Sequence, residues 1–455
     1  VNTECRPWIK SQGSKSQGDS SEVETPRRGG VSAFGFGGTN FHAVLEEYVP
    51  PCAAETAPVV EAWPAELFVW KANTTEELLK AVALTESLVK KMRLDYAIES
   101  NDTSQKRRRL FELASNLNQK NNLKRSSKTS SQTSDKTASS SASLAIVASN
   151  IDDLEQKIAQ VRDKLSAALS ENLQDGSDLS QGADQKTNSA TNFNFSLPTG
   201  VHFRSTSNLP NLSTSTSSAQ QNKIAFLFPG QGSQKVNMLK ELSIYFPEIL
   251  ETVEEADRYI AKNADKPGFA KFANKNALSQ YIFPAPTLSD ARRADQQEQL
   301  TSTDIAQPAL GVCDLAMLRL LSGFGLKADM VAGHSYGEYV ALHAGGVFSA
   351  EDLLMLSIER GRILGQCAAE NPGAMAAIAA APDLVIEALK QMPGVYLANI
   401  NTPTHSIISG SEEAIEGALE VFKSKQIAAK RIAVSAAFHS PLMTGSDQQL
   451  AEVLH

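Results

Sequence analysis

Ser335 stands between two glycines in Gly333-His334-Ser335-Tyr336-Gly337. That spacing suits a nucleophile lifted on a tight strand-to-helix turn. Glycine on both sides lets the backbone turn where no Cβ fits. A serine at the start of the following helix meets free N–H groups and the positive end of the helix dipole, which favour a developing negative charge. The plain alternative is a glycine-rich loop with a surface serine. Pro229-Gly230-Gln231-Gly232-Ser233-Gln234 is a second loop with chemical potential. Its glycines let backbone and an amide approach a carbonyl, as an oxyanion site requires. Arg360 lies in a helical stretch, Leu353 to Cys367, where an arginine is ordinarily a surface charge. His439, between Phe438 and Ser440, reads by itself as a loop histidine, and His343 and His405 as structural.

These side chains need elements to carry them. Met330 to Ala332 reads as a buried strand and Tyr339 to Leu342 continues at helical spacing, so Ser335 falls on the turn between them. Ile224 to Phe228 reads as a strand running into the Gln231 loop, and Thr303 to about Leu321 as a helix. Residues 373–434 predict strand Ala374–Ala379, helix Pro382–Gln391, strands Val395–Asn399 and Ser406–Ser409, helix Glu412–Lys423 and strand Ala429–Val434. That β-α-β-β-α-β order is the ferredoxin-like arrangement.

The 455 residues allow two to four domains. With 42 % hydrophobic and 21 % charged residues the composition is globular, and a net charge of -8 argues against nucleic acid as the main partner. No apolar run reaches the roughly 20 residues of a membrane span, and no signal peptide opens the chain. Cys5, Cys52, Cys313 and Cys367 are scattered without a C-x-x-C pair. They suit a reducing, cytoplasmic compartment, and no cluster of metal ligands is visible. The first residue is Val1, so the chain reads as a piece of a longer polypeptide.

Three blocks follow from composition. In residues 1–49, Arg27 to Tyr48 predicts two strands around a Gly37-Gly38 turn. Residues 50–222 predict strand Glu66–Trp70, a helix from Thr74 to Arg93, strand Ser143–Ala148, a helix bearing Leu154, Ile158, Val161 and Leu165, and a strand at Val201 to Phe203. Low-complexity stretches at about 101–142 and 174–222 are expected to be disordered inserts, because they hold too little apolar surface to offset ordering. From residue 223 to 455 the chain becomes apolar and ordered.

The motifs Phe228-Pro229-Gly230-Gln231-Gly232-Ser233-Gln234, Gln307-Pro308-Ala309, Gly333 to Glu338, Arg360-Gly361-Arg362, Gly373-Ala374-Met375 and Phe438-His439-Ser440-Pro441 stand in one order. In that order residues 223–455 resemble the malonyl-CoA:acyl-carrier-protein acyltransferase family. The resemblance implies an α/β-hydrolase-like core with residues 373–434 inserted as a subdomain, whose edge helps wall the cleft between Ser335 and Arg360. It implies Ser335 as nucleophile and His439 as general base, with Gln231 and the backbone N–H of Tyr336 as oxyanion hole. Arg360 would bind the malonyl carboxylate, Gln307 and Asn401 would line the pocket, and His334 would sit beside the serine. Phe438 resembles malonyl-selective members, where its bulk leaves little room for an α-methyl group. Residues 1–49 resemble the C-terminal end of a β-ketoacyl synthase. Phe36, Gly37 and Gly38 would form its loop beside the acyl pocket, and His42 matches neither of that family's catalytic histidines. Residues 50–222 resemble the adapter domain of type I polyketide synthases. The order synthase, linker, acyltransferase is that of type I megasynthases, and the wording is similar to the polyunsaturated fatty acid and heterocyst-glycolipid synthase branch.

The implied reaction moves a malonyl group from malonyl-CoA to the serine, then to the phosphopantetheine thiol of an acyl carrier protein, by ping-pong kinetics. A planar guanidinium that grips a carboxylate by two hydrogen bonds suits malonyl over acetyl. The resemblance implies no bound cofactor or metal, and as partners the carrier protein, the rest of the synthase and a second copy through that synthase. The basic run Lys106 to Arg109 reads as a solvated face, with docking of an acidic carrier as the alternative. It also implies that the group orienting His439 lies past His455. Two rivals remain. A serine esterase or thioesterase shares the Ser335 motif but does not call for Arg360. A catalytically silent assembly module calls for none of the site.

Overall fold

The computed structural model describes residues 5–10, 26–35, 38, 40–48, 63–99, 103–126, 142–174, 194–205, 223–273, 277–432, 434 and 436–454. They fall into two compact units, one of Thr56–Ala219, the other of Val1–Glu55 with Gln220–His455. In the latter, strands β1 (Arg28–Phe34) and β2 (Asn40–Glu46) form an antiparallel hairpin, with Gly38 at φ +90° in the turn. Phe36 and Gly37 of the expected pocket loop lie outside the described residues. The hairpin buries almost nothing: Phe34 is 79 % exposed and Phe41 70 %, and Val31 and Val44 are exposed too. Two strands alone do not build a core. Ahead of it, Arg6 donates to the carbonyls of Phe283 and Pro284, and Arg27 pairs with Glu47 and Glu254.

The Thr56–Ala219 unit holds β3 (Glu66–Ala72), α1 (Thr75–Glu99), α2 (Thr103–Ser126), β4 (Ala142–Ala148), α3 (Ile151–Gln174), β5 (Asn194–Leu197) and β6 (Val201–Ser205). The sheet is antiparallel throughout in the order β3-β4-β6-β5. Alternate residues Phe68, Trp70, Leu144, Ile146, Val201 and Phe203 share a core with Leu78, Val82, Leu154, Ile158, Val161 and Leu165 of α1 and α3. Strand period two and helix period 3.6 thus meet on one buried layer.

Both expected disordered inserts are smaller than composition implied. Residues 103–126 are helical, and the second insert contains β5 besides β6, the strand expected at Val201 to Phe203. The reason for the helix is a stripe within the polar run: Leu110, Leu113, Ala114 and Leu117 sit at i, i+3, i+4 and i+7 and pack on the core. One turn on, the Asn118 amide donates to the Leu67 carbonyl (2.8 Å) and accepts from the Val69 N–H (3.2 Å). It thereby occupies backbone groups of an edge strand that would otherwise be open. Lys106, Arg107 and Arg108 remain exposed, as a solvated face would. Asn118→Ala is expected to lower the stability of this unit by about 1 kcal/mol. An unchanged urea midpoint for its unfolding would show that water serves the edge equally well.

The remaining elements are β7 (Ala225–Phe228), α4 (Lys240–Tyr245), α5 (Pro247–Lys262), α6 (Ala270–Ala273), α7 (Leu278–Ile282), α8 (Asp290–Thr301), α9 (Thr303–Gly323), β8 (Met330–Gly333), α10 (Gly337–Ala344), α11 (Ala350–Glu370), β9 (Ala374–Ile378), α12 (Pro382–Leu389), β10 (Val395–Thr402), β11 (His405–Gly410), α13 (Glu412–Ser424), β12 (Ala429–Arg431) and α14 (Ser446–Leu454). β7 and β8 pair in parallel, Ala225↔Met330 to Phe228↔Gly333. α9 holds no unbroken apolar run, since Asp304, Asp314 and Arg319 interrupt it, yet by length and mean hydropathy alone it would suffice to cross a membrane. Here 67 % of that apolar window is buried, so it serves as the core helix, packed against α5 and α11. α11 starts on a capping box, with Ser349 Oγ accepting from the Asp352 N–H and the Asp352 carboxylate accepting from the Ser349 N–H, both at 3.1 Å. The block from β9 to β12 is β-α-β-β-α-β with sheet order β10-β11-β9-β12, antiparallel at every pairing, as the ferredoxin-like expectation requires.

Candidate active site

The turn between β8 and α10 carries Ser335 at φ 52°, a left-handed conformation uncommon for any residue but glycine. Its two glycines are required by contact. A Cβ on Gly333 would strike the backbone of Gly337 and Glu338, and one on Gly337 would strike the Phe228 carbonyl. The His334 N–H donates to that same carbonyl at 3.0 Å, locking the turn onto the end of β7. Tyr336, the next residue, is fully buried. Its hydroxyl donates to Ser357 Oγ (2.6 Å), and Ser357 donates to the Leu353 carbonyl (2.5 Å). Gly311 makes room, since a Cβ there would meet the Tyr336 hydroxyl. The side chain after the nucleophile is thus an anchor that fixes its own N–H.

His439 reaches Ser335 from the segment after β12. Its Nε2 lies 3.0 Å from Ser335 Oγ, within reach for proton transfer. His439 is also left-handed, at φ 58°, and Ser440 braces its turn by donating to the Ala437 carbonyl (2.6 Å). Burial, then the charges of Arg360 and His334, hold the imidazole below the ordinary histidine value, against a smaller opposite pull from Glu338. The ring is therefore neutral near pH 7, as a base must be.

Ser335, His439 and Arg360 line one cavity of about 280 Å³, together with Glu338, Tyr339, Ile363, Leu364, Ser446, Asp447 and Leu450. Among the described residues Arg360 makes no ion pair or hydrogen bond, and its guanidinium lies 5.2 Å from the Tyr339 ring centroid. Gly361 lets α11 close on the start of α9, 3.0 Å separating its missing Cβ from Asp304 Cα. The other expected residues form two hydrogen-bonded groups. Gln307 Nε2 donates to Gln231 Oε1 (3.3 Å), and Gln231 Nε2 donates to Thr303 Oγ1 (3.0 Å). His334 Nε2 lies 3.0 Å from Asn401 Oδ1, joining the turn to β10. Within the described residues, the backbone N–H groups of Gln231 and Tyr336 make no hydrogen bond, and Gln231 is not among the residues that line the cavity. Phe438 is not in the cavity wall. It packs with Cys367 on Leu364, Ala368, Ala436 and Met443, behind the Leu364 that does line the cavity.

Sequence reasoning missed the wall that α14 supplies through Ser446, Asp447 and Leu450. No motif marks these residues, and α14 buries none of its residues fully. Tyr339 was legible as a helical position but not as a partner of Arg360.

A serine on a strained strand-to-helix turn with a neutral histidine on its oxygen defines an α/β enzyme of the serine acyl-transfer class. Residues 225–455 match the family model described as the acyl transferase domain, and the chain belongs to that family. It is 38 % identical over 243 residues to the malonyl CoA-acyl carrier protein transacylase of Bacillus subtilis, covering 51 % of this chain and 68 % of that one. It is 25 % identical over 458 residues to a polyunsaturated fatty acid synthase chain of Thraustochytrium sp., covering 100 % of this chain and 14 % of that one. The chain likewise spans 10 % or less of the length of the polyketide synthases it matches. The acyl transferase domain of SpnD shares the fold, with a TM-score of 0.54 at 18 % identity over 86 % of this chain and 70 % of that one.

A histidine that takes a proton must be neutral, so transfer that depends on His439 is expected to fall away as pH drops through its folded value, which burial and Arg360 hold below the ordinary histidine value. The acid limb of Ser335 acylation by a small uncharged ester is expected below pH 6.5, and Arg360→Ala is expected to move it upward by removing a nearby positive charge. A limb that stays put in the variant would separate Arg360 from the imidazole.

Proposed function

We propose that the chain transfers malonyl groups from malonyl-CoA to the phosphopantetheine thiol of an acyl carrier protein through a Ser335 ester. The observation that carries this is the Arg360 guanidinium, without an ion pair among the described residues, in the same cavity as Ser335 and His439. A half-buried cation without a protein anion is suited to a ligand carboxylate, and a guanidinium can hold one by two parallel hydrogen bonds. The name of the Bacillus subtilis relative supports the same substrate pair.

The steps follow from the geometry. His439 Nε2 takes the Ser335 proton as Oγ attacks the thioester carbon. The oxyanion forms toward the Gln231 and Tyr336 N–H groups, each worth roughly 3 kcal/mol of transition-state stabilisation. The tetrahedral intermediate collapses, the CoA thiolate leaves and His439 returns the proton to its sulfur. The carrier thiol then attacks the seryl ester by the same route in reverse order, restoring Ser335.

The wider setting is part of the proposal. The bare β1–β2 hairpin suits the tail of a ketoacyl synthase that is completed by the rest of that domain, and the Thr56–Ala219 unit suits a linker. Coverage of the whole chain by the polyunsaturated fatty acid synthase relative supports a synthase polypeptide, and a cytoplasmic setting and a dimer through the ketoacyl synthase complete the proposal.

The test is intact mass of the full chain after brief exposure to malonyl-CoA, with Ser335→Ala as control and holo carrier protein as chase. A malonyl adduct that needs Ser335 and moves to the carrier is expected. An adduct lost to water at one rate with or without carrier would make the protein a hydrolase, and no adduct would leave an assembly role. In parallel, Arg360→Ala is expected to lower malonyl transfer relative to acetyl transfer roughly a hundredfold. Equal losses would remove Arg360 from the carboxylate role.

A further inference from the structure

Arg360 raises a positioning problem. A guanidinium on a long flexible stem samples many rotamers unless something holds it. Among the described residues no carboxylate does: Glu359 pairs with Arg362, and Glu338, on the same cavity wall, makes no ion pair with Arg360. What it does touch is the face of Tyr339, 5.2 Å from the ring centroid. Tyr339 in turn stacks on Tyr336, with centroids 6.3 Å apart and the rings 9° from parallel. Tyr336 is fully buried and tied through Ser357 to the Leu353 carbonyl on α11, the helix that also carries Arg360. The guanidinium therefore rests on a platform whose far end is fixed in the core.

An aromatic face attracts a guanidinium without occupying its N–H donors. A protein carboxylate would hold the arginine as firmly but would fill the sites a ligand carboxylate needs. We propose that Tyr339 is the positioning residue for Arg360, holding the guanidinium in the cavity with its donors free for the carboxylate of the incoming acyl group, so that it sets the preference for a carboxylated over a neutral acyl chain. This rests on Arg360 being the carboxylate binder.

The test compares kcat/KM for malonyl and acetyl transfer from their CoA thioesters in the full chain and in Tyr339→Leu, Tyr339→Phe and Arg360→Ala. Tyr339→Leu is expected to lower the malonyl-to-acetyl ratio roughly tenfold. Tyr339→Phe, which keeps the ring and loses the hydroxyl, is expected to retain the ratio. In the Arg360→Ala background Tyr339→Leu is expected to change the ratio no further, because the two residues act as one unit. A merely structural role would lower both substrates alike and leave the ratio intact, which would overturn the proposal. If Arg360→Ala lowers the ratio and Tyr339→Leu does not, the platform fails and the carboxylate reading stands. If Arg360→Ala leaves the ratio unchanged, both fail together. Should Tyr339→Leu not fold, Tyr339→Met makes the same comparison with a side chain of similar length.

Discussion

Everything in the site depends on one backbone crossing. Gly337 at the start of α10 lies against the carbonyl of Phe228 at the end of β7, so closely that no side chain atom fits between them. The crossing is possible only because β7 and β8 run parallel in register, Phe228 beside Gly333, and because Gly333 leaves the turn empty where the chain folds back over it. From this contact follow the left-handed Ser335 and the direction of α10. Close packing transmits such a constraint, since interiors hold few voids into which a displaced segment could relax.

The rest of the cleft is assembled around that turn by two further approaches. Gly361, midway along α11, brings it against the beginning of α9, so that the helix bearing Arg360 packs on the helix bearing Gln307. Gly373 packs on Ala437, which brings the segment carrying His439 beside the first strand of the ferredoxin-like block. The Ser335–His439 pair, the cation and the amide network thus come from separate stretches of chain, each held by a place where a side chain is missing. Electrostatics follow from this crowding: the half-buried imidazole next to Arg360 stays neutral because its charged form is both poorly solvated and repelled.

Much of this was legible in the sequence because it is written in local pattern. The β-α-β-β-α-β block could be read within a few residues, since strand and helix periods alternate cleanly between Ala374 and Arg431. Ser335 and the Gln231 loop stood in motifs whose spacing reflects the turns they occupy, whereas His439 reads locally as a loop histidine and took its role only from the family resemblance. What escaped was written in contacts across the chain. α2 hid its apolar stripe in a polar composition, and the apolar surplus of α9 became intelligible only once its neighbours were in view. Phe438 carries a motif that suggests a pocket wall, yet its side chain turns to the cluster behind Leu364. α14 lines the cavity with residues that no spacing distinguishes from those of any short amphipathic helix.

The left-handed backbone at Ser335 also restricts which nucleophile the turn can present. A branched Cβ is poorly tolerated at φ 52°, because a second heavy atom on Cβ crowds the neighbouring peptide groups. Threonine has a hydroxyl of much the same reactivity as serine, yet it would have to distort the turn to display it. Cysteine has the single unbranched substituent the turn accepts. The set of interchangeable nucleophiles is therefore decided by backbone geometry before reactivity enters, and a change of chemistry at this position is open toward sulfur and closed toward a secondary alcohol.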